Sequence, residues 1–194
     1  MRESQRYSKF RSNPNGDIPQ VDPTAFVDPS ASIIGNVKIG ARVYVGPQAV
    51  IRADEMGKDG QVSPIILEEE CNIQDGVIVH AVAGSEVRIG KRVFVSHGCI
   101  IHGPCTIEKD SFLGFRVTVF NSNLGEAVWV GACSTILETS IDSHTMVPAS
   151  RMIHSPDQTN QLHPISSDQE EFRRETIEMG RRLRQGYFDL FRKE

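Results

Sequence analysis

The sequence predicts a mainly β protein, a parallel β-helix of hexapeptide repeats that is followed by one C-terminal α-helix. Three observations indicate this class: an aliphatic residue recurs every six positions, β-branched residues dominate the apolar composition, and the C-terminal segment changes to a helical period. The 194 residues include 18 Ile and 18 Val but only 7 Leu. Because strands favour β-branched side chains and helices favour Leu, most of the chain is expected to be β.

The six-residue repeat runs through residues 21–153. Three hexapeptides are expected to form one triangular coil, with the aliphatic anchors stacked inside and glycine or asparagine at corners where positive φ is often needed. Chance alternation in a β-sandwich would not hold its phase over so many positions. The anchors are Val21, Val27, Ile33, Ile39, Val45, Ile51, Leu67, Ile73, Val79, Ile89, Val95, Ile101, Ile107, Leu113, Val119, Leu124, Val130 and Ile136.

The two flanking segments differ from the repeat. Residues 1–20 are expected to form a loose N-terminal arm, and residues 154–194 a linker with the C-terminal helix. Ser166-Ser167-Asp168 is typical of a helix start. The helix is expected to lie against the flank of the prism. Its apolar positions, which follow at helical spacing, are Phe172, Thr176, Met179, Leu183, Tyr187 and Leu190.

Composition and charge exclude several classes of function. The net charge of −4 argues against a nucleic-acid binder, which would carry a basic stripe. No apolar run approaches the roughly 20 residues of a membrane span, and the polar N-terminus lacks the apolar stretch of a signal peptide. A cytoplasmic protein with no nucleic-acid or membrane partner is therefore expected. The four cysteines show no CxxC spacing and are interpreted as small buried residues.

The anchors also locate a column of outward-facing side chains. His80 follows the anchor Val79, and His102 follows the anchor Ile101, with one full coil between them. The two histidines should therefore lie on one face in adjacent coils, about 4.8 Å apart. The same position in the coils below and above is held by Arg52 and Phe120. Gln74 occupies the equivalent position on a neighbouring face.

His97 is the exception to this column. It lies two residues after the anchor Val95, so its side chain should point away from the other two histidines. One chain cannot bring all three together, whereas a cyclic trimer can, because it places one face of a prism against another face of its neighbour. Three histidines with an open fourth position favour a catalytic zinc site over a structural one. A histidine stack that only packs a trimer interface is the alternative.

At these residues the sequence resembles the γ-class carbonic anhydrases, including the related domain of a carboxysome scaffold protein. The resemblance covers about residues 21–153, with a weaker match in the C-terminal helix. It rests on Ile51-Arg52-Ala53-Asp54-Glu55, Asn72-Ile73-Gln74-Asp75-Gly76-Val77-Ile78-Val79-His80, Ser96-His97, His102-Gly103-Pro104 and Phe112-Leu113-Gly114-Phe115-Arg116. It implies a left-handed β-helix, a homotrimer, and zinc-dependent reversible hydration of CO₂ to bicarbonate by a metal-bound hydroxide. Fe²⁺ or Co²⁺ are alternative metals.

The resemblance also implies a role for each site residue. His80 and His102 of one subunit would bind the metal together with His97 of the partner subunit. Gln74 and Glu55 would lie near the metal-bound water as catalytic residues. The remaining roles are an ion-pair group across the interface, formed by Arg52, Asp54 and Asp75, and an apolar wall that holds CO₂ weakly, formed by Phe120.

Two departures from the family pattern bear on catalysis. The loop after His80 is short, and Ala83 stands where some members carry a glutamate that shuttles protons. Gly180 stands where some members carry an asparagine that assists bicarbonate. Two alternatives therefore stay open: a non-catalytic or weakly active trimer that binds metal or serves in assembly, and a hexapeptide acyltransferase.

Overall fold

The computed structural model describes residues 9–191, which form a parallel β-solenoid of about seven turns and a C-terminal helix. The helices are α1 (Pro156–Thr159) and α2 (Ser167–Phe191). The strands are β1 (Phe10–Arg11), β2 (Gln20–Val21), β3 (Phe26–Val27), β4 (Ser32–Gly35), β5 (Val37–Ile39), β6 (Tyr44–Val45), β7 (Val50–Ala53), β8 (Ile65–Leu67), β9 (Asn72–Ile73), β10 (Ile78–Ala81), β11 (Val87–Ile89), β12 (Phe94–Val95), β13 (Ile100–Ile107), β14 (Phe112–Leu113), β15 (Thr118–Leu124), β16 (Trp129–Val130), β17 (Thr135–Leu137), β18 (Ser140–Ile141), β19 (Thr145–Val147), β20 (Met152–Ile153) and β21 (His163–Pro164).

The strands stack into three faces. The first face contains β1, β4, β7, β10, the start of β13 and of β15, then β17 and β20. The second contains β2, β5, β8, β11, the ends of β13 and β15, and β18. The third contains β3, β6, β9, β12, β14, β16 and β19, with β21 added antiparallel. All other pairings are parallel, as a solenoid requires.

The predicted anchors form the core. Ile51, Val79 and Ile101 are fully buried and pair in register along the first face. The chain between Ile51 and Val79 carries an eleven-residue loop, residues 54–64, that leaves the stack after β7 and returns to it at β8. Insertions therefore protrude as loops without disturbing the register. The predicted fold class is confirmed.

The prediction that glycine supplies positive φ at the corners is confirmed only at some of them, such as Gly76. The glycines that follow the anchors lack positive φ, and the left-handed residues at the corners are mostly larger, such as Arg42 and Gln48. These glycines instead permit close approach of the next coil: a Cβ on Gly131 would lie 2.4 Å from the backbone nitrogen of Ala149. Glycine is therefore needed at these positions because the coils stack closely, and not because the backbone has a positive φ angle.

The N-terminal segment is more ordered than the predicted loose arm. From residue 9 onwards it belongs to the solenoid, because β1 pairs with β4 through Phe10 and Ile33. The Lys9 ammonium also donates to the Val27 carbonyl at 2.7 Å. An arm that caps the open end of the stack satisfies backbone groups that would otherwise lack partners. The rest of the predicted arm, residues 1–8, lies outside the described residues.

The C-terminal helix α2 lies against the prism, as predicted. Ser166 caps it, since the Ser166 hydroxyl accepts from the Gln169 backbone N–H and the Gln169 side chain accepts from the Ser166 N–H. The buried positions of α2 differ from the predicted apolar set, of which only Thr176 is buried. Arg173, Thr176, Gly180 and Arg184 are buried, whereas the five other predicted positions remain at least a third exposed. Across residues 9–191, no helix has the length and apolarity needed to cross a bilayer.

The anchor columns make a stability prediction. Ile107 is fully buried, whereas Ile18 is 62% exposed. Ile107→Ala should lower the free energy of unfolding by about 2–5 kcal/mol, because a cavity remains between coils. Ile18→Ala should change it by less than about 0.5 kcal/mol. Chemical denaturation of both variants checks this. Equal losses would contradict a core that is built on the anchors.

Candidate metal centre

The predicted column of outward side chains is present on the first face. In register, Arg52 pairs with His80, His80 with His102, and His102 with Phe120. The ring centroids of His80 and His102 lie 5.0 Å apart, and those of His102 and Phe120 lie 5.5 Å apart. Strand stacking alone therefore brings two imidazoles together with an aromatic ring beside them.

The two imidazoles face each other through one nitrogen each. His80 Nδ1 lies 3.1 Å from His102 Nε2. The outer nitrogen of His102, Nδ1, lies 3.3 Å from the Gly103 carbonyl oxygen. The outer nitrogen of His80, Nε2, lies 3.3 Å from Asp54 Oδ1 and 3.5 Å from Glu55 Oε1. The Gly103 carbonyl favours a proton on His102 Nδ1, which leaves the lone pair of His102 Nε2 directed at His80 Nδ1.

His80 is suited to act as a neutral ligand. Its side chain is only 8% exposed. Burial lowers the pKa of His80, and the positive charge of Arg52 lowers it further, while Glu55 acts in the opposite direction. His80 Nε2 is buried and makes no hydrogen bond of good geometry within residues 9–191. The ring is therefore held neutral and its hydrogen-bonding capacity is incompletely used.

Two carboxylates stand beside His80. Both oxygens of Asp54 accept from Arg52 Nη1, at 2.8 and 2.6 Å. Glu55 Oε2 accepts from the backbone N–H of Ala83 at 3.1 Å. The short loop after His80 therefore holds the Glu55 carboxylate by its backbone, at the position where a shuttle glutamate is absent.

The other predicted site residues lie on the third face. His97 is half exposed, its Nδ1 lies 3.5 Å from Asp75 Oδ2, and its ring stacks on Phe115 with centroids 5.7 Å apart. Gln74 is buried and donates to the Asn72 side-chain oxygen. In one chain, Asp75 thus contacts His97 rather than Arg52. The predicted site residues thus lie in two groups, one around His80 and His102 on the first face and one around His97 on the third face. The position of His97 on a different face agrees with the prediction.

The first-face pair fits a metal ion, although one chain does not complete a site. Two nitrogens bound tetrahedrally to Zn²⁺ at about 2.0–2.1 Å lie about 3.3 Å apart, close to the observed 3.1 Å. A cation between them would be bound through the lone pairs of both nitrogens. Within residues 9–191, no cluster of three His, Cys, Asp or Glu side chains is placed to hold a metal. A site shared between subunits therefore stays a prediction.

Sequence reasoning missed two contacts in the site. Phe115 stands two residues after the anchor Leu113, as His97 stands two residues after Val95, so the register was sufficient to predict their stacking. No comparable sequence pattern predicts the hydrogen bond from Ala83 to Glu55, because this bond joins two loops that leave the repeat.

Comparisons with known proteins agree with this fold. The family model described as bacterial transferase hexapeptide (six repeats) matches residues 19–53. The carbonic anhydrase of Methanosarcina thermophila is 34% identical over 175 residues, which cover 80% of this chain and 68% of that protein. The crystal structure of a hexapeptide transferase family protein from Anaplasma phagocytophilum is 26% identical, with a TM-score of 0.77 over 94% of this chain and 99% of that chain.

The chain is thus a hexapeptide-repeat protein, and it belongs to the γ-class carbonic anhydrase family. The carboxysome assembly protein CcmM of Nostoc is also 34% identical, over 87% of this chain. The chain spans only 31% of the length of that relative. The relatives of this chain therefore include one protein named as an enzyme and one named as a carboxysome assembly protein.

The column predicts which histidines hold a metal. His102→Ala removes one of the two facing nitrogens and should reduce metal content at least roughly tenfold. His144→Ala is the matched control, because His144 lies on a later corner, outside the column. Metal analysis of both purified variants gives the result. Equal metal content in the two variants would contradict the assignment of the column.

Proposed function

We propose that the protein is a zinc-dependent carbonic anhydrase that reversibly hydrates CO₂ at sites shared between the subunits of a homotrimer. The observation that carries the proposal is the pair of facing imidazole nitrogens of His80 and His102, 3.1 Å apart, on one face, while His97 stands on another. His97 of the partner subunit would complete the ligand set. The identity with the Methanosarcina enzyme supports the same reaction.

The exposed apolar residues support assembly through these faces. On the first face, Ile78 is 42% and Ile100 40% exposed. On the third face, Phe115 beside His97 is 56% exposed. Contact between a first face and a third face of two subunits would bury these residues and join the histidines. Assembly and completion of the metal site would therefore be one event.

The residues around the histidines have distinct tasks in this proposal. Bound Zn²⁺ would supply a Lewis acid that lowers the pKa of a coordinated water to about 7, far below that of bulk water. Glu55, fixed by the Ala83 N–H, is placed to accept a proton near His80. Gln74, buried and held by Asn72, presents a fixed amide that can orient a reactant oxygen. Phe120 forms an apolar wall for CO₂ beside His102.

A non-catalytic trimer that binds metal or serves in assembly is the second candidate. Ala83 in place of a shuttle glutamate and the match to CcmM favour it. An acyltransferase is disfavoured, because such a reaction needs no pair of facing imidazoles on one outer face. Stopped-flow measurement of CO₂ hydration on protein with known zinc content separates these functions. Zinc-dependent hydration supports the enzyme, and a zinc-loaded protein without it supports the second candidate.

The shared site makes a prediction about assembly. The protein should run in light scattering at three times its chain mass of 21.5 kDa. Charge introduced at Ile100, which is exposed on the first face, should produce monomers that have lost their metal. A monomer that keeps stoichiometric zinc would contradict a site shared between subunits.

The missing shuttle residue makes a prediction about the rate. Since Ala83 cannot carry protons, kcat for CO₂ hydration should rise with buffer concentration while kcat/KM stays constant. Glu55→Ala should lower kcat at low buffer by roughly a hundredfold. Ala83→Glu should bring little benefit unless the loop is also lengthened, because the present loop is short. Stopped-flow assays over a range of buffer concentrations decide this. A buffer-independent kcat together with full activity of Glu55→Ala would show another proton route.

A further inference from the structure

The carbonyl of Ala53 is held by an unusual number of contacts. Ala53 ends β7, immediately before Asp54 and Glu55. Its oxygen accepts from the Asn13 side chain at 3.0 Å and from the Asn36 backbone N–H at 3.1 Å. Gly35 lies directly against it, since a Cβ on Gly35 would stand 1.9 Å from the same oxygen. Contacts from the first turn of the solenoid therefore converge on the peptide unit that precedes the two carboxylates.

The far end of the loop 54–64 is held by the same turn. The Asn36 side chain donates to the Val62 carbonyl at 2.7 Å. The Asn36 carbonyl accepts from the Ile65 backbone N–H at 3.0 Å. Asn36 thus joins both ends of the loop that begins with Asp54, and three of its four polar groups are used to do so.

Asn13 is itself fixed before it reaches Ala53. Its side chain is almost fully buried, with 5% exposure for the residue. Its Oδ1 accepts from the Asp17 backbone N–H at 3.0 Å, and its Nδ2 also donates to Asp17 Oδ2 at 2.8 Å. A buried donor in a closed turn has little freedom, so its hydrogen bond fixes the direction of the Ala53 carbonyl.

We propose that Asn13 and Asn36 are positioning residues, which hold the base of the loop 54–64 so that Asp54 and Glu55 face His80. The inference rests on the proposed function for its catalytic consequence. Neither asparagine touches His80. Each acts on the carboxylates through the backbone at the ends of the loop. The carboxylate of Glu55 then meets the Ala83 N–H at 3.1 Å, which makes that amide a reporter of correct placement.

The test compares two loop variants with a matched control. Asn13→Ala and Asn36→Ala each remove one hydrogen bond to a loop end. Ser134→Ala is the control, because the buried Ser134 hydroxyl donates to the Pro148 carbonyl at 2.8 Å and accepts from the Arg151 N–H at 3.3 Å, between later turns of the solenoid. Thermal unfolding of the three purified, metal-loaded proteins establishes that each is folded in the assays. Two independent loop variants keep the test decisive if one of them fails to fold.

The first readout is hydrogen exchange at the Ala83 amide, which needs no turnover. Both loop variants and Glu55→Ala should accelerate this exchange roughly tenfold, since each removes or displaces the acceptor. Ser134→Ala should leave the exchange unchanged. If the Ala83 amide stays protected in Asn13→Ala and Asn36→Ala, the positioning role is wrong. This result holds even if the wild-type protein fails to hydrate CO₂, in which case only the proposed function is lost.

The second readout is the effect on turnover. With metal content unchanged, Asn13→Ala should lower kcat by roughly ten- to hundredfold and leave KM nearly constant. In a Glu55→Ala background the same change should have a much smaller effect, because both act on one carboxylate. If Asn13→Ala loses as much thermal stability as Ser134→Ala but keeps its kcat, Asn13 has only a structural role. Equal effects in both backgrounds would also overturn the proposal.

Discussion

The register between coils is the constraint on which the rest of the structure depends. Each coil must return its aliphatic side chains to the same three internal positions, because a single coil cannot bury them alone. Ile51, Val79 and Ile101 meet this requirement, because they pair in register and are all fully buried. Any residue beside an anchor is then stacked on its counterpart in the next coil. The pairing of His80 with His102 is thus a direct consequence of core packing.

The same register explains why additional chain length appears where it does. Between anchors a hexapeptide has no spare backbone, so insertions leave at corners and return to the stack. The loop 54–64 and the turn after His80 both do this, and they meet at the hydrogen bond between Ala83 and Glu55. The rigid stack thereby fixes both ends of each irregular segment. Such a segment is suited to holding side chains near a reactive centre.

The division of the site between faces connects assembly with chemistry. His80 and His102 lie on one face with Asp54 and Glu55, whereas His97 lies on another. Burial lowers the pKa of His80, so the ring stays neutral and available as a ligand. The facing nitrogens of His80 and His102 would supply two ligands of the proposed metal site. His97 of a second subunit would supply the third.

The six-residue period of the sequence was sufficient to predict the fold class and the anchors, because it defines inward and outward positions along the whole stack. It also predicted the column of outward side chains, which consists of Arg52, His80, His102 and Phe120. The sequence also placed His97 on another face and the C-terminal helix on the prism. The tertiary structure alone decided the features that leave the period. These include the ordered start of the chain, the buried arginines of α2, and the contacts of the loop 54–64. They depend on hydrogen bonds between residues distant in sequence, such as Asn13 and Ala53, and no local pattern encodes such pairs.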